Sequence, residues 1–311
     1  MKAAIINEYG SSDVIKVVDN ANIPTAHGSK VVIKVNSASV NPIDYKIISG
    51  KMNEMVKLQF PKLIGFDLAG VVTELGDDVT DLVVGDEVYG QADFFDGGGS
   101  VAEFTTAKDS SVSPKPKNLD FSEASSLPLT AVSAYQALVD NMNLKADQKL
   151  LIHGGAGGIG SVAIQIGKYL GAYVAVTVAP KDKKFVEGLG ADKVIDYKSE
   201  DFTLELSGYD AVLDIIGGDV YTNSFKVLKP QGIIVSLSSE PDSELSEKYD
   251  VKARYQGTKV NRAALLKISE LIEAGAIKPI IQKKYKLDQA KDAFSHAEND
   301  HPQGKVVIDI N

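Results

Sequence analysis

The stretch from residue 148 to residue 170, QKLLIHGGAGGIGSVAIQIGKYL, constrains the fold more strongly than any other part of the chain. It opens with a short apolar run at residues 150–152, which suits a strand buried on both faces of a parallel sheet. Five glycines then fall within residues 154–160, and a segment of helical length with an apolar face follows them. The order of strand, glycine turn and helix predicts the beginning of a doubly wound α/β domain.

The glycines of the turn have the spacing GxGxxG that dinucleotide-binding folds use, beginning at Gly155. Gly155 is expected to allow the tight turn, Gly157 to let the backbone approach a pyrophosphate, and Gly160 to let the helix pack closely on its strand. Gly158 and Ile159 begin the helix, where unpaired N–H groups and the positive end of the helix dipole face the phosphates. A glycine turn alone is usually only a turn, but the flanking strand and helix favour a dinucleotide site here.

Composition limits the classes of partner and of chemistry. At 311 residues, the chain is long enough for two domains. The net charge of −9 argues against nucleic-acid or membrane-surface partners and favours a small molecule. Cysteine is absent and the four histidines lack zinc-ligand spacing, so we expect no metal and no thiol nucleophile. No apolar run has the length of a signal-peptide core or a membrane span, which predicts a soluble, cytoplasmic protein.

The pattern of predicted secondary structure changes at two places along the chain. Residues 1–123 hold short β-prone segments separated by Gly, Pro, Asn and Asp, which predicts a β-rich barrel. From residue 124 to residue 276, strands alternate with helices, and this pattern predicts a parallel, doubly wound sheet. Residues 277–311 read as strand, helix and strand and break that alternation, so we assign them back to the β-rich domain.

Several motifs resemble the medium-chain dehydrogenase/reductase superfamily, in particular its branch of quinone oxidoreductases and enone (2-alkenal) reductases. They are NPIDYK at residues 41–46, LPLTA at 127–131, GGAGGIGS in the central turn, VIDY at 194–197 and GKVV at 304–307. The resemblance spans nearly the whole chain. It implies a GroES-like β-rich catalytic domain and a Rossmann domain that binds NADP.

The resemblance also bears on metal chemistry. Zinc-containing members of the superfamily place catalytic metal ligands at the positions of Asn41, Phe66 and Thr130, and none of these three side chains can replace thiolate or imidazole. Without a Lewis acid, alcohol–ketone interconversion loses its usual stabilisation of an alkoxide. Reduction of a conjugated C=C bond needs less help, because the arriving charge delocalises into an enolate. The expected activity is therefore hydride transfer from NADPH to an enone, an alkenal or a quinone.

The end of the second strand of the nucleotide domain predicts NADPH. NAD sites commonly place an acid there to accept the ribose 2′-hydroxyl, and residues 176–180 contain none. Lys181 and Lys183 follow, and the branch uses a tyrosine against the 2′-phosphate at the position of Tyr197. Asp182 departs from the branch, whose members often have a lysine there. A solvated lysine pair is the alternative interpretation.

The resemblance implies further contacts. Tyr45 and Lys46 are the candidate catalytic residues, with Lys46 reaching the cofactor or the substrate oxygen; for Tyr45, a packed aromatic is the alternative. The remaining cofactor contacts that the resemblance implies, besides Lys46, are Asn41, Thr130, Ser236 and Leu237. Relatives of this branch often form homodimers.

Two other classes stay open at this point. Tyr255 and Lys259 form YxxxK with Ser243 upstream, as in short-chain dehydrogenases, but in that class the glycine turn opens the chain, whereas here it lies near the middle. A protein that binds NADPH as a sensor or a structural component, without catalysis, would carry the same glycine turn.

Overall fold

The computed structural model describes residues 1–310, which divide into two compact units. The first unit comprises Met1–Leu129, Val260–Glu273 and the segment that begins at Pro279. The second comprises Thr130–Lys259 and Ala274–Lys278. The domain limits derived from the sequence stay a prediction, and residue 311, the last of the range 277–311, lies outside the described residues.

The strands occur in sixteen segments of the described chain. They are β1 Ala3–Ile6, β2 Lys16–Val18, β3 Lys30–Val40, β4 Lys62–Leu63, β5 Asp67–Leu75, β6 Glu87–Gln91, β7 Phe104–Lys108, β8 Val112–Pro114, β9 Lys149–His153, β10 Tyr173–Val178, β11 Lys193–Asp196, β12 Tyr209–Asp214, β13 Leu228–Ser236, β14 Lys252–Tyr255, β15 Ile281–Lys286 and β16 Lys305–Asp309.

The α-helices are short apart from α4, α9 and α10. They are α1 Pro42–Ile48, α2 Phe121–Ser125, α3 Pro128–Tyr135, α4 Gly158–Tyr169, α5 Lys183–Gly188, α6 Phe202–Glu205, α7 Gly218–Ser224, α8 Ser243–Tyr249, α9 Arg262–Glu273 and α10 Ala290–Asn299. A π-helical segment, Gln136–Asn141, continues α3. Short 3-10 turns occupy Ser12–Val14, Phe94–Asp96, Asp109–Ser111, Pro180–Asp182, Phe225–Val227 and Leu287–Gln289.

The second unit is built on a six-stranded parallel sheet in the order β11-β10-β9-β12-β13-β14. Leu150, Leu151 and Ile152 of β9 are fully buried, as a central parallel strand requires. The next two strands in the chain, β10 and β11, lie on one side of β9, and the later strands β12, β13 and β14 lie on the other. The strand order therefore reverses at β9, and open α/β sheets bind ligands at the carboxyl ends of the strands beside such a point.

The first unit contains a mostly antiparallel sheet in the order β15-β16-β3-β5-β6-β8, with β7 also paired to β3. A three-stranded antiparallel sheet, β2-β1-β4, completes the strands. The core of the first unit is apolar and includes Ile33, Leu68 and Phe294, which are almost fully buried. The GroES-like and Rossmann architectures expected from the sequence are both confirmed.

Helix α9 groups with the first unit, although the sequence analysis assigned it to the nucleotide-binding domain. The Tyr89 hydroxyl of β6 donates to the Leu265 carbonyl at 2.6 Å. The Arg262 guanidinium donates to the Val112 carbonyl of β8 at 3.2 Å and pairs with Asp81 at 3.1 Å. Chain order placed this helix after a series of βα repeats, but order alone does not show which sheet a helix packs on.

None of the helices in residues 1–310 combines the length and apolarity that crossing a membrane requires.

Candidate active site

The glycine turn joins β9 to α4 in the second unit. Gly154, just before the predicted Gly155, has a left-handed backbone with φ +73°. A Cβ on Gly160 would lie 2.2 Å from the Gly154 carbonyl oxygen, which leaves no room for any other residue there. The turn therefore needs glycine at 154 for its backbone conformation and at 160 for the close approach of α4 to the strand.

The start of α4 presents backbone to a ligand. Gly157 is the N-cap, the first turn contains no acidic residue, and residues 156–159 are partly exposed. A Cβ added at Gly157 would meet no atom closer than 3.7 Å, so space remains above the backbone where Gly158 and Ile159 begin the helix. Free N–H groups and the helix dipole make this end suited to an anion such as a pyrophosphate.

His153, the last residue of β9, lies buried beneath the turn. Its Nδ1 is 3.0 Å from the Thr177 hydroxyl of β10, and its Nε2 is 2.9 Å from the Ser224 hydroxyl of α7. Burial lowers the pKa of His153 to about 4, so the ring is neutral at physiological pH. The ring holds β9, β10 and α7 together through these two side-chain hydroxyls.

The predicted cofactor residues Ser236 and Leu237 lie at the carboxyl end of β13, next to that of β12. The Ser236 hydroxyl donates to buried Asp214 at 2.6 Å, and the Leu237 N–H donates to the Asp214 carbonyl at 2.9 Å. The other Asp214 carboxylate oxygen accepts the N–H groups of Ile216 and Gly217 at 3.0 and 2.9 Å. Because Ser236 is fully buried, its side chain orders this loop rather than facing solvent.

Ile216 is a candidate cofactor contact that the sequence analysis did not identify. Its side chain is 56% exposed, and its Cδ1 lies 3.2 Å from the position that a Cβ on Gly154 would occupy. An exposed apolar side chain against the glycine turn, at the switch point of the sheet, is suited to cover a bound dinucleotide. The motif DIIGG is visible in the sequence, but its contact with the glycine turn depends on the pairing of β12 with β9.

The carboxyl ends of β10 and β11 enclose a cavity of about 270 Å³. Lys183, the first residue of α5, lines it together with Asp196 and Glu200. The Asp196 carboxylate accepts the Lys198 N–H and the Ser199 hydroxyl, which hold its pKa below the usual range, and Glu200 accepts the Asp196 N–H. Both acids are thus engaged by their own loop, and Lys183 is the cation that lines the cavity.

Two other residues predicted for the 2′-phosphate, Lys181 and Tyr197, are next to lining residues in the chain but do not line the cavity themselves. Lys181 and Tyr197 are exposed, and the Tyr197 N–H donates to the Val178 carbonyl at the end of β10. Asp182, the departure from the family pattern, is 5% exposed. Its carboxylate is therefore turned away from solvent, while Lys181 and Lys183 on either side of it are exposed.

The first unit contains a buried polar network around Asn41. The Lys305 ammonium, at the start of β16, donates to Asn41 Oδ1 at 2.8 Å and to the Val40 carbonyl. Asn41 Nδ2 donates to Asp67 Oδ2 at 2.9 Å, and Gln91 Nε2 donates to Asp67 Oδ1 at 2.8 Å. Burial raises the pKa of Asp67, and Lys305 opposes that shift. The predicted site residue Asn41 is thus held at both ends of its amide by charged groups.

A second carboxyl, that of Asp44, completes this network. Asp44 Oδ2 accepts the Asn41 N–H at 2.6 Å and caps α1. Burial raises the pKa of Asp44 to about 7; the Asn41 hydrogen bond opposes the shift and the Asp67 carboxyl adds to it. Burial also lowers the pKa of Lys305, to about 8. Lys305 acts on both carboxyls through its charge rather than through a direct ion pair, and burial lets Asp44 take up a proton near neutral pH.

The other predicted residues of α1 and α3 differ in exposure. Lys46 is exposed in the last turn of α1, and Tyr45 is half-buried against the barrel core. Burial raises the pKa of Tyr45, with Glu298 and Asp44 adding to the shift. Thr130, in the first turn of α3, is buried. Within residues 1–310, no three His, Asp or Glu side chains are grouped to hold a metal ion.

Comparison with known proteins agrees with this arrangement. Residues 27–117 match the family described as the alcohol dehydrogenase GroES-like domain, and residues 189–308 match the family described as zinc-binding dehydrogenase. The fold, the glycine turn and these family matches together define a two-domain, nucleotide-binding oxidoreductase. The chain belongs to the medium-chain dehydrogenase/reductase superfamily, in the branch of quinone oxidoreductases and enone reductases, which confirms the resemblance and excludes the short-chain class.

Three similar proteins illustrate this membership. The 2-methylene-furan-3-one reductase of Solanum lycopersicum is 36% identical over 99% of this chain and 79% of its own length. The NADPH-dependent alkenal/one oxidoreductase, chloroplastic, of Arabidopsis thaliana is 35% identical over the same shares. The structure of the quinone oxidoreductase from Coxiella burnetii superposes with a TM-score of 0.91 at 33% identity, covering 100% of this chain and 99% of that one.

Proposed function

We propose that this protein transfers hydride from NADPH to the conjugated double bond of an enone or alkenal, or to a quinone, without a metal ion. The observation that carries the proposal is the carboxyl end of β9, where the partly exposed backbone of residues 156–159 and the acid-free start of α4 lie at the switch point of the sheet. Relatives that are named as an NADPH-dependent alkenal/one oxidoreductase and a furanone reductase support it.

The second unit has the groups that NADPH requires. The N–H groups of Gly158 and Ile159 would hold the pyrophosphate beside the Gly157 backbone, whose own N–H donates to the Gly154 carbonyl at 3.2 Å, and Ile216 would cover it from the side of β12. Lys183, in the cavity at the end of β10, would face the 2′-phosphate, with Lys181 and Tyr197 near it. When bound, NADPH supplies the hydride.

The first unit supplies the groups proposed for the substrate. Its task is to orient the acceptor and to stabilise the negative charge that develops on the carbonyl oxygen. We assign this to Lys46 and to the Tyr45 hydroxyl, which α1 carries one after the other. A conjugated carbonyl spreads the charge as an enolate, and such donors can hold an enolate without a Lewis acid. Asn41 and Thr130 remain proposed neighbours of the nicotinamide, acting from buried positions.

Independence from zinc is supported by the surroundings of Asn41. Its amide oxygen already accepts a hydrogen bond from the Lys305 ammonium, and this buried positive charge would repel a dication at the same place. Dialysis against a strong chelator should leave both turnover and bound metal unchanged. A loss of activity that zinc restores would refute this part of the proposal.

The experiment that tests the activity is NADPH oxidation with a panel of small alkenals, cyclic enones and quinones. We expect acceptor-dependent turnover with NADPH and slower turnover with NADH. A protein that binds NADPH tightly but oxidises it with none of these acceptors would instead be the non-catalytic sensor or structural protein that the sequence left open.

We further propose a cytoplasmic homodimer that acts without a nucleic-acid or membrane partner. The net charge of −9 supports the last point, since it disfavours polyanions and anionic bilayers. Light scattering after gel filtration would measure the mass, and a mass equal to one chain would overturn the dimer.

A further inference from the structure

The first unit contains a cavity of about 970 Å³ that the proposed reaction does not use. Its walls come from the chain after β2, from the segment that leads into β4, and from the turn at residues 94–98. Asn41, Tyr45 and Lys46 do not line it. Its volume is at the upper end of the range of about 300–1,000 Å³ that small-molecule sites occupy.

A buried ammonium group forms part of this wall. Lys62 is 8% exposed, and its Nζ donates to the Phe94 carbonyl and, at 3.3 Å, to the Gly98 carbonyl. The same Nζ lies 4.2 Å from the centroid of the Phe94 ring. An ammonium has three N–H donors, so these two carbonyls leave one for another acceptor.

The charge of Lys62 has no directly bonded counter-ion. Of the ion pairs in residues 1–310, none includes Lys62, and burial accordingly lowers its pKa. The two nearby carboxylates, those of Asp93 and Asp96, both pair with Lys30. The charges of these two carboxylates oppose the lowering of the Lys62 pKa without bonding to its ammonium, so the third N–H donor can still serve a ligand that carries a negative charge.

The rest of the wall is mixed, with apolar side chains beside polar ones that include one carboxylate, that of Asp96. Leu58, Leu63 and Phe95 line the cavity, and the Phe95 ring is 72% exposed. Lys57 is exposed on the same wall. Three lysines and one aspartate line the cavity, so its apolar part and its excess of positive charge are together complementary to a molecule with a hydrocarbon body and one negative charge.

We propose that this cavity is a binding site for a small organic carboxylate with an aromatic or branched apolar body, its carboxylate accepting from Lys62 and its body lying against Phe95 and Leu58. The site is independent of hydride transfer, because neither the glycine turn nor α1 contributes to it. A charge-assisted hydrogen bond from a desolvated ammonium would select the carboxylate over a neutral molecule of the same shape.

The test compares two probes of equal shape, 4-phenylbutyrate and 4-phenylbutanamide, by saturation-transfer NMR and titration calorimetry on the full chain without NADPH. We expect saturable binding of the carboxylate in the range of about 1 mM or tighter, and binding of the amide at least about tenfold weaker. Lys62→Met should remove this preference. Lys51→Met, an exposed lysine outside the cavity, is the matched control and should leave it unchanged.

Lys62 also holds the turn at residues 94–98, so a second variant is needed that tests the site even if Lys62→Met does not fold. Phe95→Ala removes an exposed ring, keeps the ammonium and should weaken both probes by a similar factor. Equal affinity for the two probes, absence of saturable binding, or unchanged binding in Phe95→Ala would each overturn the proposal. None of these results depends on NADPH turnover, so failure here is separable from failure of the proposed reductase activity.

Discussion

The Lys305 ammonium lies 2.8 Å from the Asn41 amide oxygen, and this contact fixes which way the amide points. Lysine can only donate and a carboxylate can only accept, so Asn41 must turn Oδ1 to Lys305 and Nδ2 to Asp67. A flipped amide would place donor against donor and acceptor against acceptor. The orientation of Asn41, at the start of the helix that carries Tyr45 and Lys46, is therefore set by buried charges.

Lys305→Met should destabilise the fold strongly. Removing the ammonium leaves the Val40 carbonyl and the Asn41 amide oxygen without their buried donor, at a cost of about 1–3 kcal/mol each, and also removes the charge that opposes the raised pKa values of Asp44 and Asp67. Urea denaturation measures the free energy of unfolding. Lys284→Met, on the neighbouring strand β15 but with its ammonium partly exposed, is the control and should change stability by about 0–1 kcal/mol. Equal losses in the two variants would contradict the role given to Lys305.

The network also predicts a pH dependence of stability. The pKa of Asp44 is raised by burial from 3.8 to about 7, so the folded state binds this proton more tightly than the unfolded chain. The contribution of Asp44 is therefore fully favourable below the unfolded pKa and is lost as pH rises through about 7. Asp44→Asn keeps an acceptor for the Asn41 N–H but cannot ionise.

We therefore expect Asp44→Asn to become more stable relative to the unmodified protein as the pH rises. The difference in the free energy of unfolding should grow between about pH 4 and pH 7, by up to about 1.4 kcal/mol per pH unit, and then level off. Denaturant titrations across this range measure it. Asp19→Asn, at an exposed position, should show no such growth. A difference that stays constant between pH 4 and pH 8 would show that Asp44 does not bind a proton in the folded protein.

The nucleotide-binding half of the site could be read from the sequence because its parts are local. Strand, glycine turn and helix follow one another within residues 148–170, and the acid-free end of β10 comes soon after. The network in the first unit could not be read in this way. Asn41 and Lys305 are separated by 264 positions, and only the pairing of β16 with β3 brings them together.

The roles of single residues were also harder to predict than the positions of helices and strands. The motifs NPIDYK and GKVV were recognised, but Asp44 and Lys305 within them received no role, because burial and pairing are tertiary properties. The spacing GxGxxG does not include Gly154, so it gave no sign that Gly154 would have the left-handed backbone of the turn. Helix α9 shows the same limit, because its partner strands lie far from it in the chain.

Gly160→Ala should impair NADPH binding. The added Cβ would lie 2.2 Å from the Gly154 carbonyl oxygen, so the start of α4 must move away from the turn. We expect the Kd for NADPH, measured by fluorescence titration, to rise at least about tenfold, which corresponds to about 1.4 kcal/mol. Gly188→Ala in α5, where a Cβ meets nothing within 4 Å, is the matched control and should bind NADPH normally. Unchanged affinity in Gly160→Ala would refute the assignment of the turn.

Lys183→Glu should change the choice of cofactor. It places a negative charge in the cavity at the end of β10, where the 2′-phosphate is proposed to bind, and like charges repel. The Kd for NADPH should rise by about tenfold or more while that for NADH stays nearly constant. Lys184→Glu makes the same charge change at the next residue, outside the cavity, and should have a smaller effect. Equal affinity of the unmodified protein for NADPH and NADH would also overturn the assignment.

The destination of the hydride tests the central claim most directly. The protein is incubated with a small enone and NADPH that carries deuterium at the transferable position, and the product is analysed by NMR and mass spectrometry. The account predicts deuterium at the β-carbon, a proton from solvent at the α-carbon and an intact carbonyl group, because the donors of the first unit stabilise an enolate. Deuterium at the carbonyl carbon, giving an allylic alcohol, would contradict it.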